Sequence, residues 1–252
     1  MLRESPASVR ESRLKADCVA PPPMGLPCAE QVVFAHRSPN PDLDISPQVT
    51  ISRIDMKMRT AIALLVDNEL ANRMAAYTLR CRNYGFDLRV LRLPAHVSLK
   101  QPFIVNDFER FERYFDEFSR HIEPQQLRFK GFTFWGNAEQ GVVVAYVEAS
   151  PRLRQLHGQL NAELEQSFGG TQADFDGDAY EFHLTVAIGG FHPDLLPQLN
   201  ADIATWKLDE VTESSSLAMF IYEESPHPDP LLGVREYGTY KVLPLQQKSV
   251  RS

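Results

Sequence analysis

Apolar and polar residues follow two different periods along the chain from residue 59 onward. Residues 61–66 form a short, wholly apolar run of the length of one buried strand. Asp67, a residue type that often precedes a helix, comes next. Apolar side chains then recur at helical spacing, at Leu70, Met74, Tyr77 and Cys81. The pattern predicts a strand followed by an amphipathic helix.

Two further apolar stripes predict two more helices, one beginning near Asp107 and one at Ser150-Pro151. The stripes consist of Phe108, Phe111, Phe115 and Phe118 in the first helix and of Leu153, Leu156, Leu160 and Leu164 in the second. Their spacing is that of a helix face packed on a core, so we interpret them as core and not as a cofactor-binding feature. A further helix is predicted over residues 195–206.

Four more strands are predicted outside these helices. Residues 127–132 and 142–147 flank a turn-like segment that begins at Gly136-Asn137, which predicts a hairpin. Residues 217–222 and 237–243 predict two strands near the end of the chain. This mixture of helices and strands is typical of the α+β class.

Residues 1–57 differ in composition from the remainder. They hold eight of the 18 prolines, few aromatic residues and no sustained period. This predicts a disordered, proline-rich leader, followed by one domain over 58–245 and a flexible tail over 246–252. An alternative is that the segment is a start-site artefact, because Met56 and Met58 directly precede the first predicted strand. Neither interpretation gives it a part in the chemistry.

Length and charge narrow the range of functions. A chain of 252 residues, 43% of them hydrophobic, suffices for one sizeable domain. No apolar run reaches about 18 residues, and three cysteines without metal-type spacing suit a reducing compartment. We therefore expect a cytoplasmic monomer without a membrane partner. The net charge of −7 argues against a surface that coats long duplex nucleic acid, but it allows a small or single-ended phosphate substrate.

The most informative feature is a short motif that occurs twice, as His96-Val97-Ser98-Leu99 and as His183-Leu184-Thr185-Val186. Each motif places a hydroxyl two residues after a histidine, in an apolar, strand-like context. An aspartate follows each histidine eleven residues later, where a helix is expected to begin, at Asp107 and Asp194. Because side chains alternate between the faces of a strand, the histidine and hydroxyl of each motif share one face. If the two units pack about a pseudo-two-fold axis, both polar pairs face one cleft.

Two histidines and two hydroxyls in one cleft suit phosphoryl transfer. One imidazole can take a proton from water or from a ribose hydroxyl, while the other gives a proton to the leaving oxygen. The ordinary pKa of histidine lies near neutrality, so one ring can be neutral while the other is protonated. The two hydroxyls would donate hydrogen bonds to non-bridging phosphate oxygens. The residues alone leave open which histidine is the acid.

In these motifs the chain resembles the 2H phosphoesterases, which include the 2′-5′ RNA ligase-like proteins and cyclic nucleotide phosphodiesterases. The resemblance rests on Leu93-Pro94-Ala95-His96-Val97-Ser98-Leu99-Lys100-Gln101-Pro102-Phe103 and on Phe182-His183-Leu184-Thr185-Val186-Ala187. It extends over roughly residues 58–245. Ser98 stands where threonine is more usual, a change that keeps the hydroxyl.

The resemblance implies that His96 and His183 are the acid and base and that Ser98 and Thr185 bind phosphate. It implies a metal-independent reaction without a cofactor on 2′,3′-cyclic phosphate or 2′-5′ phosphodiester bonds of RNA ends or small nucleotides. It also implies two lobes of duplicated α+β units, with antiparallel-rich sheets around a central cleft.

Other uses of the same residues remain open. A zinc site would need cysteine, histidine or carboxylate ligands where the motifs supply hydroxyls. Asp174, Asp176 and Asp178 have the alternate spacing of a calcium loop, but Ala179 stands where the turn glycine should follow. A solvated loop at the rim of the cleft is the preferred interpretation. A module that binds RNA ends or nucleotides without turnover would use the same cleft, although two complete motifs favour an enzyme.

Three further residues are candidate substrate contacts. Lys100 lies two residues beyond Ser98, on the same face if the strand continues, where it could meet a phosphate. Trp135 and Tyr180 lie at edges of predicted strands and could stack a base, with ordinary packing as the alternative. Four basic residues could make the cleft positive or be solvated surface, namely Arg89, Arg92, Arg128 and Lys130. The remaining histidines are interpreted as structural: His36, His121, His157, His192 and His227.

Overall fold

The computed structural model describes residues 58–137, 141–173, 175–224 and 234–246. Outside the described residues lie the predicted leader over 1–57, residues 247–252 of the predicted tail, His36, Asp174 and His227. The strands are β1 (Met58–Leu65), β2 (His96–Val105), β3 (Gln125–Gly136), β4 (Gly141–Glu148), β5 (His183–Ile188), β6 (Glu210–Ser214), β7 (Ser216–Glu224) and β8 (Val234–Pro244). The α-helices are α1 (Asn68–Cys81), α2 (Phe108–His121), α3 (Pro151–Phe168) and α4 (Leu196–Ile203).

These strands form one curled antiparallel sheet in the order β6-β3-β4-β5-β2-β1-β7-β8. The order is symmetric about its centre, where the two motif strands β5 and β2 are neighbours. Each motif strand lies beside the strand that comes before it in the chain, and one α-helix connects the two strands. The segments β1–α1–β2 and β4–α3–β5 are therefore two copies of one unit. The predicted α+β class and the duplicated units around a cleft are confirmed.

Three helices begin where the sequence predicts, and each has a side-chain cap. Asp67, Asp107 and Ser150 accept a hydrogen bond from the backbone N–H three residues on, at 2.8, 3.0 and 3.1 Å. Pro151 occupies the first turn of α3, where its missing N–H removes no intrahelical bond. These helices bury most of the residues of their predicted stripes.

The end of the chain departs from the prediction in three places. α4 ends at Ile203 rather than at residue 206, because a turn follows in which Thr205 Oγ1 donates to a backbone oxygen at 2.7 Å. Asp194 lies inside the short 3-10 turn before α4 and does not cap that helix. Strand β6 was missed, because Val211 is its one apolar residue and is exposed. Pairing with β3, and not hydrophobic alternation, makes β6 a strand.

The helices pack on one face of the sheet and form the main core with it. On the motif strands this face carries Val97, Leu99, Leu184 and Val186, all buried. The opposite face carries a second, small cluster of buried residues on β1 and β7: Ala63, Ala218 and Phe220. The polar residues of both motifs lie on this second face, away from the helices.

Candidate active site

The two motif strands meet at one backbone pair, Val97 opposite Leu184, in an antiparallel arrangement. Continuing this register by one residue in each direction sets each histidine opposite the hydroxyl of the other motif, as the pairs His96–Thr185 and Ser98–His183. The imidazoles therefore occupy one diagonal of a four-residue patch, and the hydroxyls occupy the other. Diagonal neighbours on adjacent strands are about 7–8 Å apart, so one phosphate group can lie between the two rings.

Burial separates this patch from the core. Val97 and Leu184 are 0% and 1% exposed, whereas the four polar residues of the motifs are all partly exposed. The shared face predicted for each histidine and its hydroxyl is therefore present in the fold. In the described part of the chain, no protein group forms a hydrogen bond with the hydroxyl of Ser98 or Thr185. Both hydroxyls are thus available to a ligand.

Backbone carbonyls fix the tautomer of both imidazoles. Nδ1 of His96 lies 2.8 Å from the carbonyl oxygen of Pro94, and Nδ1 of His183 lies 2.8 Å from that of Glu181. A carbonyl oxygen can only accept, so each Nδ1 carries a proton and donates it. In the neutral rings, Nε2 then keeps a lone pair that can accept a proton. The duplication thus extends to how each ring is held.

Each imidazole also contacts one aromatic ring from the strand two places away in the sheet. The ring centroid of Trp135 lies 4.7 Å from that of His183, and the centroid of Phe220 lies 4.6 Å from that of His96. The two aromatic–imidazole pairs are related in the same way. On the intervening strand β1, residue 61 is paired with Phe220 and residue 65 with His96; on β4, residue 142 is paired with Trp135 and residue 146 with His183. Four residues of the intervening strand therefore separate the two partners in both cases. Phe220 is fully buried, whereas Trp135 is partly exposed. Of these two rings, only Trp135 has surface open to a ligand.

Burial lowers the pKa of both imidazoles. Desolvation brings the pKa of His96 to about 4, opposed by the bond to the Pro94 carbonyl and assisted by the charge of His183. Desolvation also lowers the pKa of His183, but the carbonyl and the carboxylate of Glu181 both raise it. The negative charge of Glu181 therefore favours the protonated form of His183. The pKa of His96 is not raised by this carboxylate.

Lys100 does not share the face of Ser98. Strand β2 has one extra residue on each side of Lys100 relative to β1, and these bulges break the alternation of side chains. The side chain is fully buried, and its Nζ donates to Asn161 Oδ1 at 2.8 Å and to Asp176. The predicted contact between Lys100 and a phosphate in the cleft is therefore wrong.

Tyr180 is also part of the interior. Its side chain is 2% exposed, its ring stacks on that of His157 at 4.5 Å, and its hydroxyl donates to the backbone oxygen of Ser98 at 3.2 Å. No face of the ring is open, so the predicted stacking of a base on Tyr180 is wrong. The stacking of a base on Trp135 stays a prediction, and the position of this ring beside His183 supports it.

Three of the four basic residues considered for the cleft form ion pairs on the protein surface. Arg89 pairs with Asp87 at 2.7 Å, and both Arg128 and Lys130 pair with Asp209 at 3.3 Å. Arg92 is exposed in the short turn before the first motif. Because three of these four basic side chains are paired with carboxylates, the group contributes little positive charge to the cleft.

Sequence reasoning missed two residues of the motif face, Phe220 and Arg59. Arg59 stands opposite Tyr222 of β7, on the same face of β1 as Ala63. Its Nε is buried and has no hydrogen-bond partner among the described residues. The strand predicted from the apolar run begins at residue 61, two residues after Arg59. Continuing the alternation back by two residues would have found it.

A family model described as the 2′-5′ RNA ligase superfamily matches residues 66–224. The chain belongs to this superfamily. Both motifs and the strands from β2 to β7 lie within the matched segment. A comparison with curated proteins finds no match.

Solved structures with a similar fold include LigT of E. coli in complex with 3′-AMP, at a TM-score of 0.47 and 11% identity. They also include TT0787 of Thermus thermophilus, at 0.48 and 15%, and Usb1 of Kluyveromyces marxianus, at 0.43 and 11%. In each case the match covers 76% of this chain and 100% of the other.

Membership of the superfamily and the paired motifs support a phosphoesterase-type function. Within the described residues, no group of three or more histidine, cysteine, aspartate or glutamate side chains is placed to hold a metal ion. In the same residues, no helix is both long enough and apolar enough to cross a membrane.

Proposed function

We propose that this protein is a metal-independent phosphoesterase that acts on 2′,3′-cyclic phosphate or 2′-5′ phosphodiester bonds of RNA ends or small nucleotides. One observation carries the proposal: the register Val97 opposite Leu184 puts two imidazoles and two hydroxyls on the corners of one patch. The imidazoles have free Nε2 atoms in their neutral form, and the hydroxyls have no protein partner among the described residues. These four side chains can contact the oxygens of a tetrahedral phosphate anion.

The reaction on a cyclic phosphate needs one proton removed and one supplied. We assign His96 as the base, because its pKa of about 4 keeps it neutral at physiological pH. Its Nε2 accepts a proton from water as the water oxygen bonds to phosphorus. We assign His183 as the acid, because the Glu181 carboxylate favours its protonated form. Its Nε2–H gives a proton to the ribose oxygen as the P–O bond breaks.

The remaining groups of the patch bind the anion. Ser98 and Thr185 donate hydrogen bonds to non-bridging oxygens, where negative charge increases as the fifth oxygen bonds to phosphorus. Trp135 stacks the base of the nucleotide on the His183 side, which agrees with the partly exposed ring there and the buried Phe220 on the other side. This orientation puts the leaving ribose next to the proposed acid.

Turnover in excess EDTA tests the proposal. The substrates are 2′,3′-cyclic nucleotides and a 2′-5′ dinucleotide, and the variants are His96→Ala and His183→Ala. His121→Ala serves as a matched control, because His121 is an exposed histidine at the end of α2. We expect metal-insensitive turnover that falls at least about 100-fold in both motif variants and is unchanged in the control. Binding of nucleotides by a folded wild-type protein without turnover would instead support the non-catalytic module.

A further inference from the structure

A buried, charged cluster lies directly behind the first motif, on the core face of β2. Lys100 is fully buried there, and its Nζ donates to Asn161 Oδ1 of α3 at 2.8 Å and to Asp176. Oδ2 of Asp176 also accepts from the backbone N–H of Ala173 at 2.9 Å. The Asp176 carboxylate is 8% exposed, so both charges of the pair are shielded from water.

The same cluster contacts the motif strand at two further backbone positions. Nδ1 of His157 donates to the carbonyl oxygen of Leu99 at 2.8 Å, and its Nε2 accepts from the N–H of Gly177 at 3.3 Å. The hydroxyl of Tyr180 donates to the carbonyl oxygen of Ser98 at 3.2 Å, and its ring stacks on His157. Burial lowers the pKa of His157, which suits a neutral ring that donates at one nitrogen and accepts at the other.

These contacts join the two motifs. Residues 98, 99 and 100 of the first motif strand are each bonded to α3 or to the loop over 171–182. That loop runs directly into His183, the first residue of β5. The ladder between the motif strands consists of the single pair Val97–Leu184, so the strands alone give little resistance to sliding or tilting. The cluster supplies a second connection between the halves of the site.

We infer that Lys100, Asp176, His157 and Tyr180 are positioning residues, which hold the Ser98 segment at a fixed distance from His183. The inference rests on the proposed function for the reaction that the positioning serves. None of the four side chains reaches the motif face, so they act through the backbone of β2 and the loop. A buried ion pair is a costly way to add stability, since apolar residues of similar volume often stabilise as well. Its directional contacts, however, fix a geometry that apolar packing leaves looser.

The mildest test is Tyr180→Phe, which removes only the hydroxyl that bonds Ser98. We expect kcat to fall about 10-fold and KM to rise by up to about 10-fold, because Ser98 contacts the phosphate group, while the melting temperature should change by less than about 3 °C. The matched control is Tyr114→Phe, because Tyr114 OH donates to Glu163 of α3 at 3.0 Å, a tyrosine–helix contact outside the cluster. A wild-type kcat in Tyr180→Phe would contradict the inference.

The ion pair allows a double-mutant test that separates positioning from stability. Lys100→Met and Asp176→Leu each leave one buried charge without its partner, so both should lower the melting temperature and kcat. The double variant removes both charges, and we expect it to regain most of the melting temperature while kcat stays about 10-fold or more below wild type. Parallel recovery of both quantities would mean that the pair serves stability alone.

A third measurement keeps this inference separate from the proposed function. Inorganic phosphate is titrated into the wild type, Tyr180→Phe and Tyr114→Phe, with the imidazole NMR signals of His96 and His183 as the readout. Phosphate should bind about 10-fold more weakly to Tyr180→Phe than to the other two. If the wild type turns over no substrate but this difference is present, the proposed function fails and the positioning stands. Equal affinities in all three proteins would overturn the positioning.

Discussion

The indole of Trp135 lies at a T-shaped angle to the imidazole of His183, with ring centroids 4.7 Å apart. A base stacked on this indole would place its ribose next to the proposed acid. We expect Trp135→Ala to raise KM for a purine 2′,3′-cyclic nucleotide about 10-fold, in the range of one base–aromatic contact. Trp135→Phe should keep most of the affinity. KM values for both variants, with kcat measured in parallel, check this, and an unchanged KM in Trp135→Ala would remove the indole from the substrate site.

The assignment of acid and base can be tested with the leaving group. A 4-nitrophenolate needs no proton when it departs, so an enzyme without its general acid should still cleave a nucleoside 4-nitrophenyl phosphodiester. We expect His183→Ala to lose about 100-fold to 10,000-fold on a ribose leaving group but less than about 10-fold on the nitrophenyl ester. His96→Ala should lose activity on both substrates. The opposite pattern would exchange the two roles.

The pH dependence follows from the pKa values of the two imidazoles. His96 must be neutral to act as base, so kcat/KM should rise with pH through its pKa of about 4. His183 must be protonated to act as acid, and its pKa is lowered, so kcat/KM should fall with pH through a value below the ordinary 6.5. The profile of kcat/KM should therefore be a bell with its maximum between these limits. The limbs report the coupled pair and not isolated groups.

Substrate binding and the substitution Glu181→Gln should shift the bell-shaped profile in opposite directions along the pH axis. A bound phosphodiester is an anion that favours protonated imidazoles, so the profile of kcat should lie at higher pH than that of kcat/KM. Glu181→Gln removes the carboxylate that raises the pKa of His183, so its alkaline limb should move to lower pH. An alkaline limb that is unchanged in Glu181→Gln would mean that His183 does not set it.

Ser98 and Thr185 stand at corresponding positions of the two motifs, so one motif carries a serine hydroxyl and the other a threonine hydroxyl. If the Ser98 hydroxyl donates to phosphate, Ser98→Thr should keep kcat/KM within about 3-fold, and Ser98→Ala should lower it about 10-fold to 100-fold, the range of one lost charge-assisted hydrogen bond. Thr185→Ser and Thr185→Ala form the matched pair in the second motif. Activity measured for all four variants checks this, and a wild-type kcat/KM in both alanine variants would exclude the hydroxyls from phosphate binding.

The unit strand–helix–motif strand was predictable because its signals are local. The stripe with Leu153 and Leu156 and the cap at Ser150 act within a few residues of each other, and the structure has α3 where they predict it. Strand β6 was not predictable in this way, since its polar sequence becomes a strand only by hydrogen bonding to β3, far away in the chain.

What the sequence by itself determined is the chemistry of the site: two copies of a histidine and a hydroxyl on one strand face, which follows from the period of two along any strand. Only the tertiary structure decided which other side chains reach that face. Bulges in β2 turned Lys100 into the interior, and the loop before β5 buried Tyr180 behind Ser98. Pairing with β7 set Arg59 opposite Tyr222 on the motif face. Such placements depend on register and bulges, which are fixed by hydrogen bonds between strands distant in sequence.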